Sequence, residues 1–305
     1  MHGEVTTIPL PESDRGRLPE VPVFGAAVAD HMFRPLENYR RFNASDGRMV
    51  MPTADENLHL EVLRRLVTLD ARWVPATRGS SLYIRPAMIA SSPKLGLGAS
   101  AECLHFIITS PVGSYFNPGF EPIAVLVSES KRRAVRGGVG EAETGGTYAA
   151  ILSMIETPSH SGYNQILWLD AIHGHYVEQA GATNICFVYN GKLSITPALS
   201  GSILAGITRD PVLELAGARL RCNRNRDRHH AGAGRYRQRR HHGGVRMRLG
   251  CGNRAGWPTW LSWRRHVIND ERAGPVASAL QDALTGIQYG ARRDQRAWTL
   301  TLEVE

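Results

Sequence analysis

Lysine, cysteine and long apolar runs are all scarce in this chain of 305 residues. The only lysines are Lys94, Lys131 and Lys192, so any chemistry that needs a lysine amine has few candidates. The four cysteines form no CxxC pair. No disulfide framework is expected in a chain of this length, and we predict no metal site.

No apolar run is long enough to cross a lipid bilayer, and the polar residues 1–17 lack the apolar core of a signal peptide. We therefore expect a cytoplasmic protein with no membrane partner. The hydrophobic fraction of 42% is ordinary for a globular protein. The length allows one large domain or two modest ones.

The net charge of +8 is concentrated in one part of the chain. Residues 217–266 contain fourteen arginines, one aspartate and no lysine or glutamate, so the remainder of the protein carries a net negative charge. A basic protein that binds nucleic acid would be expected to carry its charge on a broader face. We therefore predict no nucleic-acid partner.

The arginine-rich stretch 217–266 has almost no apolar periodicity of either helical or strand type. It could be a basic arm that binds nucleic acid, a long solvated loop, or a segment read out of frame between two compensating shifts. Read one base later, every Asn-Arg pair after Arg221 gives Thr or Ile, and the result resembles a β-strand. The same shift allows Ala-Gly-Thr-Ala within Gly250–Ala255. Codon arithmetic thus favours the third explanation.

Outside that stretch the pattern predicts an α+β protein, with strands in the middle of the chain and helices at both ends. One helix opens at Pro52–Glu56, with Thr53 and Glu56 as a capping box. Others are predicted near Thr147, after Thr208, and over Pro275–Gln288. The predicted strands are Leu104–Thr109, Ile123–Ser128, Gln165–Asp170, Asn184–Tyr189 and Leu193–Thr196.

Nine segments, taken in order, resemble the branched-chain aminotransferases of the class IV pyridoxal-phosphate family. Any one of them is a weak signal, but nine in family order are a strong one. They cover most of the chain apart from the N-terminal tail and residues 217–266. The segments are Phe24–Met32, Phe33–Phe42, Ser81–Gly96, Ser110–Phe116, Gly145–Ala150, Gln165–Ala171, Gly181–Val188, Thr196–Asp210 and Gln281–Gly290.

The resemblance implies a two-domain fold with pyridoxal phosphate held between the domains. Residues 1–23 would form an N-terminal tail, 24–117 a small α/β domain, and 118–305 a larger pseudo-barrel domain. It also implies amino-acid and 2-oxo-acid substrates and a homodimer. Met32 runs directly into Phe33, where family members carry a further segment, so the small domain is expected to be partly truncated, together with part of the subunit contact.

The resemblance also assigns roles to individual residues. An arginine fork and the backbone N–H groups at a helix start both suit a phosphate. The family's tyrosine beside the Gly-Gly pair hydrogen-bonds the phenolic oxygen of the cofactor. The implied residues are Arg41, Ile207 and Thr208 for the phosphate, Tyr148 for the phenolic oxygen, and Tyr83, Arg85 and Tyr115 for the substrate pocket.

Two positions depart from the family in a way that bears on the chemistry. Glu143 stands where the family has the lysine that forms a Schiff base with pyridoxal phosphate, and a carboxylate cannot form an imine. Gln179 stands where the family has the glutamate that pairs with the pyridine nitrogen, and an amide has no charge to hold that proton. Glu178 is adjacent, but strand neighbours face opposite sides, so it could substitute only at a bulge.

Three functional hypotheses follow. In the first, the chain is a homologue that has lost transamination. In the second, it is a repurposed member of the family: either Glu143 acts as acid or base in chemistry that needs no lysine, or the cleft binds a small phosphorylated or acidic ligand. The third is a working aminotransferase between leucine, isoleucine or valine and 2-oxoglutarate. The missing amine at Glu143 favours the first, and without it covalent attachment of the cofactor is not expected.

The nucleotide sequence between Leu215 and Val267 tests the reading-frame hypothesis. We expect two compensating shifts, because the shifted frame replaces the arginine-rich stretch with a strand-like sequence. Sequencing of independently prepared DNA across this segment is the measurement. A single uninterrupted frame that encodes the printed residues would contradict the hypothesis.

Overall fold

The computed structural model describes residues 26–28, 31–75, 77, 79–93, 95–113, 123–128, 130–150, 152, 163–189, 192–217, 247–250 and 273–302. The predicted mixture of helices and strands is confirmed in this part of the chain. None of the helices in these ranges combines the length and the apolar character that crossing a membrane requires.

The first sheet is antiparallel and has five strands. In chain order these are β1 (Ala26–Val28), β2 (His31–Phe33), β3 (Ser81–Ala90), β4 (Cys103–Val112) and β11 (Thr299–Thr301). Strands β3 and β4 form a ten-residue pairing that runs from Ser81 opposite Val112 to Ala90 opposite Cys103. Strand β11 pairs with β2, so the C-terminal part of the chain returns to the sheet built by the N-terminal part.

Two helices follow β2 and supply part of this sheet's core. Helix α1 (Pro35–Arg48) begins with proline at its first position, where the missing N–H is not needed. Helix α2 (Glu56–Leu69) continues into a short 3₁₀ turn, Ala71–Trp73. The apolar cluster between this helix and the sheet contains Met32, Leu63, Val67, Leu82 and Ile84.

The second sheet has four strands, one of which is buried at every residue. It contains β5 (Ile123–Val127), β6 (Gln165–Leu169), β7 (Val177–Ala180) and β10 (Met247–Gly250), in the order β10-β5-β6-β7. Strands β10, β5 and β6 are parallel, and β7 is antiparallel to β6. Every residue of β6 is buried, as expected for a strand covered on both faces. A hairpin of β8 (Phe187–Tyr189) and β9 (Lys192–Ile195) follows.

Two of the described helices lie on either side of the arginine-rich stretch. Helix α3 is Arg209–Leu215 and helix α4 is Pro275–Gln288, and the two helices contact each other. Leu284 and Ile287 of α4 pack with Phe33 and with Trp298, which lies next to β11. The C-terminal helix is therefore anchored on the five-stranded sheet.

Most predicted elements are present, with differences that have local causes. The predicted capping box is wrong: the side chain of Asp55 accepts a hydrogen bond of 2.8 Å from the backbone N–H of Leu58, so Asp55 caps α2 and Thr53 precedes it. The stretch 217–266 contributes strand β10, which the sequence pattern did not predict. Residues 218–246 and 251–266 lie outside the described residues. The domain boundary near residue 117 stays a prediction.

The capping assignment can be tested with two single substitutions. Asp55→Ala removes an acceptor for an orphan N–H and should lower the free energy of unfolding by about 1 kcal/mol. Thr53→Ala is the matched control and should change it by less than about 0.5 kcal/mol. Urea unfolding of both variants is the measurement, and a larger effect at Thr53 than at Asp55 would contradict the assignment.

Candidate active site

Glu143 lies between a glycine-rich turn and a helical segment, residues 145–150, and its side chain is only 6% exposed. Its carboxylate oxygen Oε1 accepts a hydrogen bond from the hydroxyl of Tyr148. The other oxygen, Oε2, lies 3.9 Å from Nη2 of Arg41. The backbone N–H of Glu143 donates to Oγ of Ser45 at 3.0 Å. The carboxylate is therefore held by two side chains distant from each other in the sequence.

Arg41 projects from α1 and connects Glu143 to the loop before α3. Its side chain is 10% exposed, and Nη1 donates to the backbone oxygen of Ala205 at 3.4 Å. Burial lowers the pKa of Arg41, while the nearby Glu143 and Tyr148 raise it. Because an arginine keeps its proton in proteins, the guanidinium remains a cation beside the carboxylate.

Tyr148 is a hydrogen-bond donor at this site. Burial is the main reason why the pKa of Tyr148 is raised, and the adjacent charge of Glu143 raises it further. The phenol therefore stays protonated at neutral pH and can keep donating to the carboxylate. The helical segment that follows Glu143 brings Tyr148 back to the carboxylate five residues later in the sequence.

Tyr83 and Arg85 reach the same site from β3, where residues two apart share a face. Nη2 of Arg85 donates to the hydroxyl of Tyr83, and the guanidinium carbon lies 5.1 Å from the centre of the Tyr83 ring. Burial raises the pKa of Tyr83, Arg85 lowers it, and the charge of Glu143 raises it. The charge of Glu143 is thus felt on the five-stranded sheet as well as on α1.

Gln179 and Glu178 lie at an irregularity in β7. Trp168 pairs with Gln179 and Leu169 pairs with Val177, so Glu178 is an extra residue in the strand. The bulge that Glu178 would need to take the place of the family's glutamate is therefore present. However, Oε1 of Glu178 already accepts a hydrogen bond of 2.6 Å from Oγ of Ser202. Gln179 is 2% exposed, and its Oε1 has no hydrogen-bond partner among the described residues.

Arg133 is a member of this site that the sequence analysis did not identify. It is buried, and Nη2 donates to the backbone oxygens of Gly140, at 2.9 Å, and of Ser202. Burial lowers the pKa of Arg133, whereas Glu178 and Glu143 raise it, so the cation lies near both carboxylates. It belongs to the basic run Lys131–Arg133, a pattern that more often indicates a solvated surface.

The turn 206–208 begins α3 close to Arg41. Arg34 donates from Nη1 to the oxygen of Ile207 at 2.8 Å, and Asn184 donates to the oxygen of Leu204 at 3.0 Å. A side chain at Gly206 would come within 2.0 Å of Oδ1 of Asn184, so the backbone approach requires glycine. Within the described part of the chain, the N–H groups of Ile207 and Thr208 donate to no protein acceptor.

The structure brings most of the predicted site residues together. Glu143, Tyr148 and Gln179 line one small pocket with Arg133 and Leu204. Arg41 contacts Glu143 directly, and Ile207 and Thr208 follow the Ala205 carbonyl that Arg41 contacts. The charge of Glu143 raises the pKa of Tyr83, and Arg85 lowers the pKa of both Tyr83 and Tyr148. Tyr115 lies outside the described residues. No group of metal-binding side chains occurs in the ranges that are described.

The chain is similar to two curated proteins of Bacillus subtilis (strain 168). It is 39% identical over 279 residues to branched-chain-amino-acid aminotransferase 2, a match that covers 88% of this chain and 75% of that protein. It is 41% identical over 278 residues to branched-chain-amino-acid transaminase 1, with 88% and 76% covered. No protein-family model matches the chain.

Solved structures share the fold at much lower sequence identity. The branched-chain aminotransferase of the thermophilic archaeon Thermoproteus uzoniensis, solved with norvaline, superposes with a TM-score of 0.67 at 20% identity, and the match covers 95% of each chain. The Escherichia coli branched-chain amino acid aminotransferase gives a TM-score of 0.62 at 20% identity, with 92% of this chain and 88% of that chain covered. At these identities the likeness concerns the fold alone.

A double-mutant cycle tests the contact between Tyr148 and Glu143. Tyr148→Phe should lower the free energy of unfolding by about 1–3 kcal/mol, because a largely buried carboxylate loses a donor. In a Glu143→Ala background the same change should cost at least about 1 kcal/mol less. Urea unfolding of the four proteins gives the coupling energy. A coupling near zero would show that the hydroxyl and the carboxylate do not interact.

Proposed function

This chain belongs to the branched-chain aminotransferase family. Since the resemblance implies that the family's Schiff-base lysine stands at the position of Glu143, we propose that the chain has lost transamination. The observation that carries the proposal is the state of the Glu143 side chain. It is 6% exposed, ion-paired with Arg41 and hydrogen-bonded by Tyr148. A carboxylate held in this way supplies neither the covalent anchor nor the amine that moves a proton on the substrate.

The residues at the site do not fit pyridoxal phosphate in the covalent manner of the family. Glu143 occupies the anchoring position, and its charge pairs with Arg41, the arginine implied for the phosphate. Gln179 lines the same pocket, and its side-chain oxygen has no hydrogen-bond partner among the described residues. Because this side chain is a neutral amide, it offers no negative charge to a protonated ring nitrogen. We therefore propose that no cofactor is covalently attached.

The remaining lysines offer no clear substitute for the missing amine. Lys131 is exposed and does not line the pocket around Glu143. Lys94 lies outside the described residues, and only the backbone of Lys192, in β9, is described. A working leucine, isoleucine or valine aminotransferase would need one of these amines to reach the cofactor, so this hypothesis is disfavoured.

A second candidate function is supported by the order of the cluster itself. Hydrogen bonds and an ion pair hold its side chains, which are Glu143, Tyr148, Arg41 and Arg133. A repurposed cleft that binds a small phosphorylated or acidic ligand would use this cluster only where the ligand displaces Glu143 from Arg41. In that case Glu143 is the candidate acid or base, because it is the carboxylate that lines the pocket.

The wider properties of the family extend to this chain as proposals. Its members act on branched-chain amino acids, as the names of the relatives state, and such amino acids or 2-oxo acids are the first ligands to test. We propose a cytoplasmic location and a homodimer, in which the short connection between β2 and α1 would reduce the contact between subunits.

The proposal predicts that no amine of this chain holds pyridoxal phosphate. After incubation with the cofactor and borohydride reduction, mass spectrometry should find no stoichiometric adduct on Lys94, Lys131 or Lys192, and leucine should not be turned over with 2-oxoglutarate. The purified protein should lack the visible absorption of a pyridoxal–lysine Schiff base.

Glu143→Lys is the matched control, because it restores an amine at the anchoring position. It should form an adduct at residue 143 but show little turnover, since Gln179 still carries no charge for the ring nitrogen. An adduct on a native lysine accompanied by turnover would overturn the proposed loss of transamination. Efficient turnover by the Glu143→Lys variant would show that Gln179 is not an obstacle.

A further inference from the structure

Glu143 does more at this site than replace an amine, because its carboxylate forms an ion pair with Arg41. Its Oε2 lies 3.9 Å from Nη2 of Arg41, and both side chains are at least nine-tenths buried. We propose that Glu143 is an internal counter-anion that closes the Arg41 site to small phosphorylated or carboxylated ligands. This inference rests on the proposed loss of transamination. A cofactor whose phosphate occupied Arg41 would require the carboxylate of Glu143 to leave that arginine.

The neighbours of Arg41 limit the ways in which a second anion could bind. Nη1 is directed at the carbonyl oxygen of Ala205, and Nη2 faces Glu143. A phosphate group that reaches Nη2 must therefore displace Glu143 or share the cation with it. Two anions at one guanidinium repel each other strongly when water is largely excluded.

Displacing Glu143 has its own cost. Removing one partner of a buried ion pair leaves an uncompensated charge, which is strongly unfavourable. The displaced carboxylate would keep only the hydroxyl of Tyr148 on Oε1, because its Oε2 makes no hydrogen bond within the described residues. The pair with Arg41 is thus the main compensation for the charge of Glu143, and an incoming anion has to replace it.

The same geometry predicts what happens when the charge of Glu143 is removed. Glu143→Gln keeps the size of the side chain and its ability to accept a hydrogen bond from Tyr148, but it removes the negative charge that faces Nη2 of Arg41. Arg133, which lines the pocket with Glu143, is a second cation whose pKa is raised by Glu178 and Glu143 although burial lowers it. The net charge at the pocket then becomes more positive, which favours a phosphate.

The test compares the affinities of inorganic phosphate and pyridoxamine phosphate, which has no aldehyde to react with surface lysines. Isothermal titration calorimetry on the full chain should show at least about tenfold tighter binding to Glu143→Gln than to the unmodified protein, equivalent to about 1.4 kcal/mol. Adding Arg41→Ala to this variant should abolish the gain. Glu61→Gln, which removes an exposed carboxylate paired with Arg65, is the matched control and should leave binding unchanged.

Thermal unfolding gives a second readout. The unfolding temperature of Glu143→Gln should rise with added phosphate, and that of the unmodified protein should not. If Glu143→Gln does not fold, Glu143→Asp replaces it in the test. This variant keeps the charge but withdraws the carboxylate from Arg41 by one methylene, so it should bind phosphate more tightly than the unmodified protein.

Equal phosphate affinity in the unmodified protein and in the charge-removing variant would overturn the inference, as would a gain that survives Arg41→Ala. These outcomes are separate from those that bear on transamination. An adduct on a native lysine with turnover would refute the proposed function, whereas tight phosphate binding by the unmodified protein without turnover would refute only the closed state of the Arg41 site.

Discussion

The ion pair between Glu143 and Arg41 is the constraint on which the organisation of this site depends. Each side chain is largely removed from water, and each lies beside a group of opposite charge. The hydroxyl of Tyr148 donates to Oε1 of Glu143, the oxygen of Ala205 accepts from Arg41, and the Oγ of Ser45 accepts from the backbone N–H of Glu143. Oε2 of Glu143 and Oε1 of Gln179 keep no hydrogen-bond partner among the described residues, so opposite charge rather than hydrogen bonding is what Arg41 offers to Oε2.

Residues from both sheets and from helix α1 have an electrostatic or pocket-lining relation to Glu143. Helix α1 brings Arg41 from the side of the five-stranded sheet, and β3 of the same sheet brings Tyr83 and Arg85. The four-stranded sheet contributes Gln179 through the irregular strand β7. The charge of Glu143 consequently raises the pKa of Arg41, Tyr83 and Arg133.

Elements with a long periodic pattern were predictable, and short or displaced ones were not. The helix Pro275–Gln288 was predicted with its observed bounds, because proline marks its start and its apolar residues recur at helical spacing. Strands β1, β2 and β11 have only three residues each, too few for an alternation to be recognised. Asp55 rather than Thr53 caps α2, because both residue types are good caps and only the geometry selects one.

The sequence by itself determined which chemical groups are available: a carboxylate instead of an amine at Glu143, and a neutral amide at Gln179. Tertiary structure alone decided what those groups contact, since Arg41 and Ala205 are separated by 164 residues and are joined only by folding. The role of Arg133 and the bulge at Glu178 were decided in the same way. The physical reason is that an ion pair or hydrogen bond acts over a few ångströms in space, whatever the distance along the chain.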